Sequence, residues 1–514
     1  MHTIPHIKKD EQGITSLYVH GKPFIGLGGE IHNSSSSNLE YMEKQVWPYI
    51  KDLHMNLVIA PIFWETIEPA KGEFDFTLLD GLIQQARNAN VKLQLLWFGL
   101  WKNGESFYTP SWVKEDSTTY FRACYSQGNP SNTVSPLCEA GILADAAAFT
   151  KVMEHLKEID GEENTVIIVQ VENEIGFLKS QRDYSSIAQS EYDGEIPQKM
   201  KEIYHVSGSW YEAFGEQAPE LFMAYHYAQA IETIASSGKA MYPLPMTVNA
   251  WLEQFPEIPG EYPSGGPIAR LIPLWKRLAP SIDVLTPDIY VSDFKGVCDA
   301  FTTCDNPLFI PEARRDPVTA SNVFYALGQY HALAFSPFGI EDMMNDTISG
   351  NTSDPDLLKT LNIEVSGFTC TGTGPYLQKS YEVLSNVTEL LLQYRGCGKV
   401  HAFIKKNEHD KGIILPLEKY DIKLTYTARR PLEPGSAGII IETSPDEFYI
   451  MGCHFKIEVL PKKGSEKKVC YVAIKEGHFE NSSFVPGRIL NGDECMEAYM
   501  GPMARALSWK VCLY

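Results

Sequence analysis

Apolar residues along this chain gather in short blocks separated by stretches of helical periodicity. Eight blocks read as buried strands: Pro23–Gly28, Asn56–Ile62, Val91–Phe98, Thr165–Val171, Leu244–Val248, Asp283–Tyr290, Pro307–Ile310 and Ala332–Phe338. Between them, Asn38–Met55 opens on a capping Asn and puts Leu39, Met42, Val46, Tyr49, Ile50 and Leu53 on one helical face. Thr77–Asn90, Ala140–Ile159, Glu220–Ser237, Ile268–Leu278, Thr319–His331 and Tyr376–Tyr394 read the same way. Strands alternating with helices call for parallel pairing with crossover helices. The count of eight predicts a closed (β/α)8 TIM barrel, an α/β fold. No G-x-G-x-x-G or G-x-x-x-x-G-K-[ST] loop follows any of the runs, as an open nucleotide-binding sheet would require.

After Tyr394 the texture changes. Val400–Ile404, Gly412–Leu417, Ile422–Tyr426, Ala437–Glu442, Phe448–Met451, His454–Leu460, Lys468–Ile474 and Leu507–Leu513 are short, β-rich and separated by turn residues. They predict a smaller all-β, sandwich-like module. The expected organisation is a strand or two from residues 1–20 across the barrel floor, the barrel over 21–395, and the β-module over 396–514.

Charge narrows the partners. The 44 Lys and Arg against 65 Asp and Glu leave a formal charge of −21. Nucleic acid and anionic membranes want a basic surface, so a neutral ligand fits better. No stretch approaches the roughly 18 apolar residues of a membrane span, and Met1–Asp10 lacks the apolar core of a signal peptide. Ten scattered Cys, with no C-x-x-C pair, read as reduced thiols. The expectation is a cytoplasmic protein.

In a barrel the chemistry sits past the C-terminal ends of the strands. The residues there include Gly28-Gly-Glu-Ile-His-Asn33, Phe63-Trp-Glu65, Trp97-Phe-Gly-Leu-Trp101, Val171-Glu-Asn-Glu-Ile-Gly176, Asn249-Ala-Trp251, Asp288-Ile-Tyr290, Pro311-Glu-Ala-Arg-Arg315 and Phe338-Gly-Ile-Glu-Asp342. Carboxylates, amides and aromatics together suit a neutral, hydroxyl-rich ligand. The fourth strand delivers Glu172, Asn173 and Glu174, and the seventh ends in Glu312. These strands face each other across a barrel mouth, so their carboxylates can flank one glycosidic bond. Strand alternation sends Glu172 and Glu174 to the same side, so spacing does not choose between them. The competing reading of Glu312 is an ion pair with Arg314 or Arg315.

At these residues the chain resembles the clan of retaining glycosidases built on (β/α)8 barrels, in which Asn-Glu ends the fourth strand and Glu the seventh. Within it the chain looks most like family 35 glycoside hydrolases, mainly exo-acting β-galactosidases. Gly29-Glu-Ile-His32 is similar to that family's first-strand motif. Trp64-Glu-Thr-Ile-Glu-Pro-Ala-Lys-Gly-Glu-Phe-Asp-Phe76 is similar to its second-strand signature, shared with family 42. Leu95–Gly104 and Phe335–Glu341 resemble a bacterial branch carrying an extra C-terminal β-domain. The resemblance implies Glu174 as acid/base, Glu312 as nucleophile, Asn173 on the sugar 2-hydroxyl and Tyr290 beside the nucleophile. The chain also departs from the animal enzymes: their galactose-reading Glu after the third strand becomes Leu100, and their second-strand Tyr falls on Pro61.

Trp64, Trp97, Trp101 and Trp251 all follow strands and are candidate sugar platforms, with rim packing as the competing reading. Glu30 is divided between a sugar hydroxyl and a structural hydrogen bond. Glu65 and Glu341 read as buried ion pairs, and Glu68 as fixing its loop. His32 and His54 lack metal-ligand spacing, so no metal or other cofactor is expected. The long segments Lys102–Glu139 and Phe177–Pro219 either wall an exo-type pocket or form a homo-oligomer contact. The expected function is an exo-acting retaining β-glycosidase, foremost a β-galactosidase acting on oligosaccharides. Its rivals are a β-glycosidase of other sugar specificity and a non-catalytic carbohydrate-binding barrel.

Overall fold

The computed structural model describes residues 3–344, 364–496 and 498–514. Eight parallel strands close into a barrel in sequential order: β1 (Gly26–Glu30), β2 (Leu57–Phe63), β3 (Lys92–Lys102), β4 (Val166–Asn173), β5 (Met246–Ala250), β6 (Val284–Ile289), β7 (Ile310–Ala313) and β8 (Ala334–Pro337). The fold class read from the pattern is the one observed. Alternation along each strand splits the apolar residues between two layers. Leu57, Ile59, Phe63, Leu96, Phe98, Ile168, Val284, Phe309 and Leu333 fill the barrel interior. Val58, Ala60, Leu93, Leu95 and Trp97 belong instead to the large core shared with the helices.

The principal helices of that outer layer are α1 (Thr77–Asn88), α2 (Glu139–Asp160), α3 (Ala218–Met241), α4 (Ile272–Leu278), α5 (Phe294–Phe301), α6 (Thr319–Tyr330) and α7 (Thr373–Ser385). Among the described residues no helix is long and apolar enough to cross a membrane. A small antiparallel sheet (His6–Lys9, Thr15–Val19, Lys22–Phe24) precedes the barrel. Its Leu17 and Val19 pack against the strand starts at Leu57, Val284 and Leu333, plugging the floor with apolar side chains.

Two expected helices are interrupted. Asn38 caps as expected, its side chain accepting from the Tyr41 N–H, but 39–53 runs as α, π and 3-10 turns in succession. Pro48 has no N–H to continue the ladder, and the turn before it widens. The expected helix Tyr376–Tyr394 breaks into α7 and Thr388–Tyr394. At the break, the Asn386 carbonyl accepts from the Ser482 N–H of the C-terminal module.

That module has a six-stranded antiparallel sheet, order Val400–Ile404, Ala437–Ser444, Glu447–Cys453, Arg505–Leu513, Val469–Glu480, Ser483–Leu490. A four-stranded sheet of Gly412–Pro416, Tyr420–Tyr426, Phe455–Pro461 and Tyr499–Met500 faces it. The strands Ser483–Leu490 and Tyr499–Met500 were not evident in the pattern. Ile440, Ile450, Leu507 and Trp509 of one sheet share a core with Ile422, Leu424, Phe455 and Ile457 of the other. Ile439 and Ile441, on the opposite face of the first sheet, join the barrel core. Gly328 of α6 lets that face in: a Cβ there would lie 2.8 Å from Ala402 and Ile439 side-chain atoms. The module is thus attached to the barrel through an apolar face. Among the described residues the ten cysteines form no disulfide.

Candidate active site

At the mouth of the barrel, strand register brings acidic side chains together. β6 and β7 run side by side with Asp288 paired to Glu312. Glu174 reaches the same point from the end of β4. One carboxylate oxygen from each of Glu174, Asp288 and Glu312 lies within 4.8 Å of the others, and all three groups are buried.

The backbone, rather than spacing, selects Glu174. Glu172 and Glu174 have φ of +63° and +45°, a left-handed conformation that non-glycine residues seldom adopt. The expected alternation therefore fails, and the two side chains diverge. Glu172 turns toward the helix layer and Asp145 of α2. There it accepts from the N–H groups of Gly99, Leu100 and Trp101 at 3.2, 3.0 and 2.8 Å. Gly99 has to be glycine, since a Cβ would lie 2.3 Å from Asp145 and 2.7 Å from Glu172 oxygens. Glu174 turns into the mouth.

Glu312 accepts three hydrogen bonds: from the Tyr290 hydroxyl at 2.7 Å, and from the Asn173 and Asn249 amides at 3.3 Å each. The competing ion pairs do not form. Arg314 binds Asp316 at 2.6 Å and Arg315 binds Asp342. Asn173 is oriented by Lys102, whose ammonium donates to its Oδ1 at 2.8 Å and so leaves Nδ2 for Glu312. A register shift after Trp97 pairs Lys102 with Asn173. Asn249 is oriented in turn by the Glu174 N–H, which donates to its Oδ1 at 2.8 Å; its Nδ2 then donates to Asp288 at 2.8 Å. Tyr290 lies flat on Phe368, ring centres 4.5 Å apart. Lys102, Asn249 and Asp288 had no assigned role in the sequence reading. All three stand in its strand-end or motif segments, and only the folded mouth relates them.

The electrostatics of the mouth favour neutral carboxyl groups beside Glu312. Burial, then the neighbouring Glu312 charge, raises Glu174 to about 7, with Lys102 opposing. Asp288 and Glu30 are raised well above the carboxylate range, in both cases first by burial and next by Glu312. Glu30 is 1% exposed, and neither of its carboxylate oxygens has a hydrogen-bond partner among the described residues. A buried acceptor left this way costs free energy unless water or a ligand supplies donors. The carboxylate spacing would also admit a divalent cation. Such an ion wants six or more oxygens, whereas three hydrogen-bond donors already converge on Glu312 alone.

The tryptophans need correction. Trp64, Trp97 and Trp101 are completely buried in the helix-side core and are not platforms. The Trp97 indole N–H donates to Asp145 at 2.7 Å, and that of Trp101 to the Val134 carbonyl at 2.9 Å. Trp64 donates to Glu68 at 2.8 Å, and Glu68 also accepts the Gly72 N–H at 2.7 Å. The Trp-x-x-x-Glu signature is thus a loop clamp. Only Trp251, two residues past Asn249 and 8% exposed, remains a candidate platform. Glu65 pairs with Lys114 at the surface. Glu341 accepts from the His32 N–H and the Ser35 hydroxyl, so neither is a buried ion pair. Of the long segments, 177–217 spends much of its length on short helices packed against α3, with Trp210 against Phe222 and Tyr225.

Residues 39–222 match a glycoside hydrolase family 42 model described as beta-galactosidase, and residues 377–499 match a domain of unknown function. The first match covers Glu174 but stops short of Glu312, and it is to family 42 where the motifs had pointed foremost to family 35. No curated protein sequence matches the chain. Among solved structures, the chain is similar to the catalytic domain of a beta-amylase from Paenibacillus polymyxa. That alignment has 12% identity and a TM-score of 0.49, over 67% of this chain and 98% of that one. A beta-galactosidase from Bacillus circulans sp. alkalophilus aligns at 10% identity and TM-score 0.49, over 94% and 99%. One from the psychrophilic Marinomonas ef1 aligns at 12% and 0.44, over 61% and 54%.

Proposed function

We propose that this protein is an exo-acting retaining β-glycosidase, with β-galactosides of oligosaccharides as its foremost substrates. The observation that carries the proposal is the pair Glu174 and Glu312: carboxylate oxygens within 4.8 Å, in unlike surroundings. Retaining enzymes place their two carboxyls roughly 5–5.5 Å apart, inverting ones farther. Glu312, held by three donors, attacks the anomeric carbon. Glu174, raised to about 7 by burial and by Glu312, protonates the leaving oxygen. Formation of the glycosyl ester removes the Glu312 charge, lowering the proton affinity of Glu174, which then serves as base toward water.

Asn173 supplies the hydrogen bond to the sugar 2-hydroxyl, and Glu30, whose two oxygens have no partner among the described residues, takes hydroxyl donors. Trp251 is the remaining apolar face for the ring. The family 42 match over residues 39–222 supports a glycosidase. A second reading, another β-linked sugar, is favoured by the two departures from the animal enzymes. Leu100 is buried with its N–H tied to Asp145 and Glu172, and Pro61 is buried within β2. Neither offers a side-chain polar group to a sugar.

The test is hydrolysis of a panel of aryl glycosides (β-galactoside, β-glucoside, β-fucoside, α-L-arabinoside, β-xyloside), with the anomer of the first product read by NMR. The proposal expects the β-galactoside to lead and the product to retain configuration. Another leading sugar selects the second reading. An inverted product, or no turnover of any glycoside, overturns the proposal.

A further inference from the structure

The mouth contains more carboxyl groups than a two-carboxylate mechanism uses. Glu174, Asp288 and Glu312 are mutually within 4.8 Å, and Glu30 is close enough to act on them electrostatically. Lys102 is the cation whose charge is felt by Glu30 and Glu174. Four buried carboxylates around one ammonium cannot all be ionised, because like charges at this separation strongly disfavour each other in a desolvated site.

The hydrogen-bond network says where a proton belongs. The Glu174 N–H fixes Asn249 Oδ1 as acceptor, so Asn249 Nδ2 is the donor to Asp288 Oδ2 at 2.8 Å. Asp288 Oδ2 is therefore occupied as an acceptor. Asp288 Oδ1 is buried and, among the described residues, meets no donor. The Asp288 and Glu174 carboxyls are nevertheless neighbours, with an oxygen of each within 4.8 Å of the other. Contact between two carboxyl groups is favourable only with a proton between them.

Resting on the glycosidase reading, we propose that Asp288 is a positioning residue that stays protonated on Oδ1 and donates its hydrogen bond to Glu174 throughout the cycle. In the first step the Glu174 O–H bond breaks as the leaving oxygen takes that proton. The anomeric C–O bond breaks as the Glu312–carbon bond forms. Asp288 keeps its own proton, and its hydrogen bond strengthens as Glu174 becomes anionic. The bond thus favours the product of the proton transfer and aims the carboxylate that next activates water. The groups facing Asp288 are Glu174, Glu312, Glu30 and Tyr290. Each carboxylate among them, when charged, works to keep it neutral. Burial acts in the same direction.

The experiment compares the full chain with Asp288→Asn and Asp288→Ala. Asn copies a neutral donor; Ala removes it. The expected alkaline limb of kcat/KM, set by Glu174, stays in place in Asp288→Asn whatever the height of the profile. In Asp288→Ala it moves up by about one pH unit, because the Glu174 anion loses its donor. Infrared difference spectra of the chain without substrate, parent minus Asp288→Asn at about pH 8, should show a protonated-carboxyl band. A limb that falls in both variants would mean that a negative charge had been removed. That result, or the absence of the band, overturns the proposal. The spectrum does not depend on turnover, so a band without any glycosidase activity would sink the functional reading and leave the Asp288 proton standing.

Discussion

Two buried acidic clusters sit on either side of the end of β4, built from residues two apart. On the helix side, Glu172 meets Asp145. Burial raises both, and the Asp145 charge pushes Glu172 well above the carboxylate range. In the mouth, Glu174 meets Asp288 and Glu312 and is raised for the same reasons. Perturbed proton affinity therefore does not distinguish them. Hydrogen-bond satisfaction does. The first cluster absorbs the N–H groups of Gly99, Leu100 and Trp101 and the Trp97 indole, closing the end of β3 onto β4 and α2. The second leaves both Glu30 carboxylate oxygens without donors among the described residues. The first cluster is satisfied by the backbone around it, and the second is not.

The sharpest way to test the distinction is to truncate each cluster and compare activity with stability. Glu312→Ala should lower kcat/KM by at least about 10⁴-fold, the scale of losing a nucleophile, while its thermal midpoint holds or rises. Glu174→Ala should cost about 10²–10⁴-fold, less on aryl glycosides with good leaving groups, and azide should restore turnover as a glycosyl azide. Equal losses on good and poor leaving groups would remove Glu174 from the acid role.

In the other cluster the balance should reverse. Glu172→Gln leaves backbone N–H groups short of acceptors and should destabilise by about 1–3 kcal/mol, read by denaturant unfolding, with kcat/KM within a few-fold of the parent. Loss of activity in a stably folded Glu172→Gln would break the comparison. Trp97→Phe, which strands the Asp145 acceptor, should likewise lower stability by about 1 kcal/mol and leave KM alone. A raised KM with full stability would return Trp97 to the sugar.

The smallest effect concerns pH and stability. Folding raises Glu174 from 4.5 to about 7, so its neutral form is the one the native state prefers. Its contribution is complete below about pH 4.5 and is lost as pH rises through about 7. Glu174→Gln should therefore gain thermal stability over the parent between pH 5 and about 8, and the gap should be least at the acid end. A gap that widens toward acid would reverse the assigned sign.

Much of this was legible in the chain. Buried strands joined by helices forced parallel pairing, and eight of them a barrel; Glu174 and Glu312 stood at strand ends that meet in the mouth. Where the reading failed, it failed at the same strand ends. Trp97 looked like a rim aromatic, but alternation along β3 places it with Leu93 and Leu95 on the helix side, whereas Phe98 faces inward. Asp288 appeared beside Tyr290 without a role, since nothing in its neighbours along the chain says that β7 puts Glu312 opposite it.

Periodic burial is written locally, because each strand or helix repeats its own geometry and its apolar residues must follow that repeat. The sequence alone thus determined the barrel, the β-module and the strand ends that carry acids. Tertiary structure decided which acids meet. The left-handed turns at Glu172 and Glu174 break the repeat at the one place where side-chain direction matters most. The register of β6 on β7 and the shift that pairs Lys102 with Asn173 are set by neighbours distant in sequence. Those few angles and pairings separate a carboxylate tied to the backbone of β3 from one that faces the mouth.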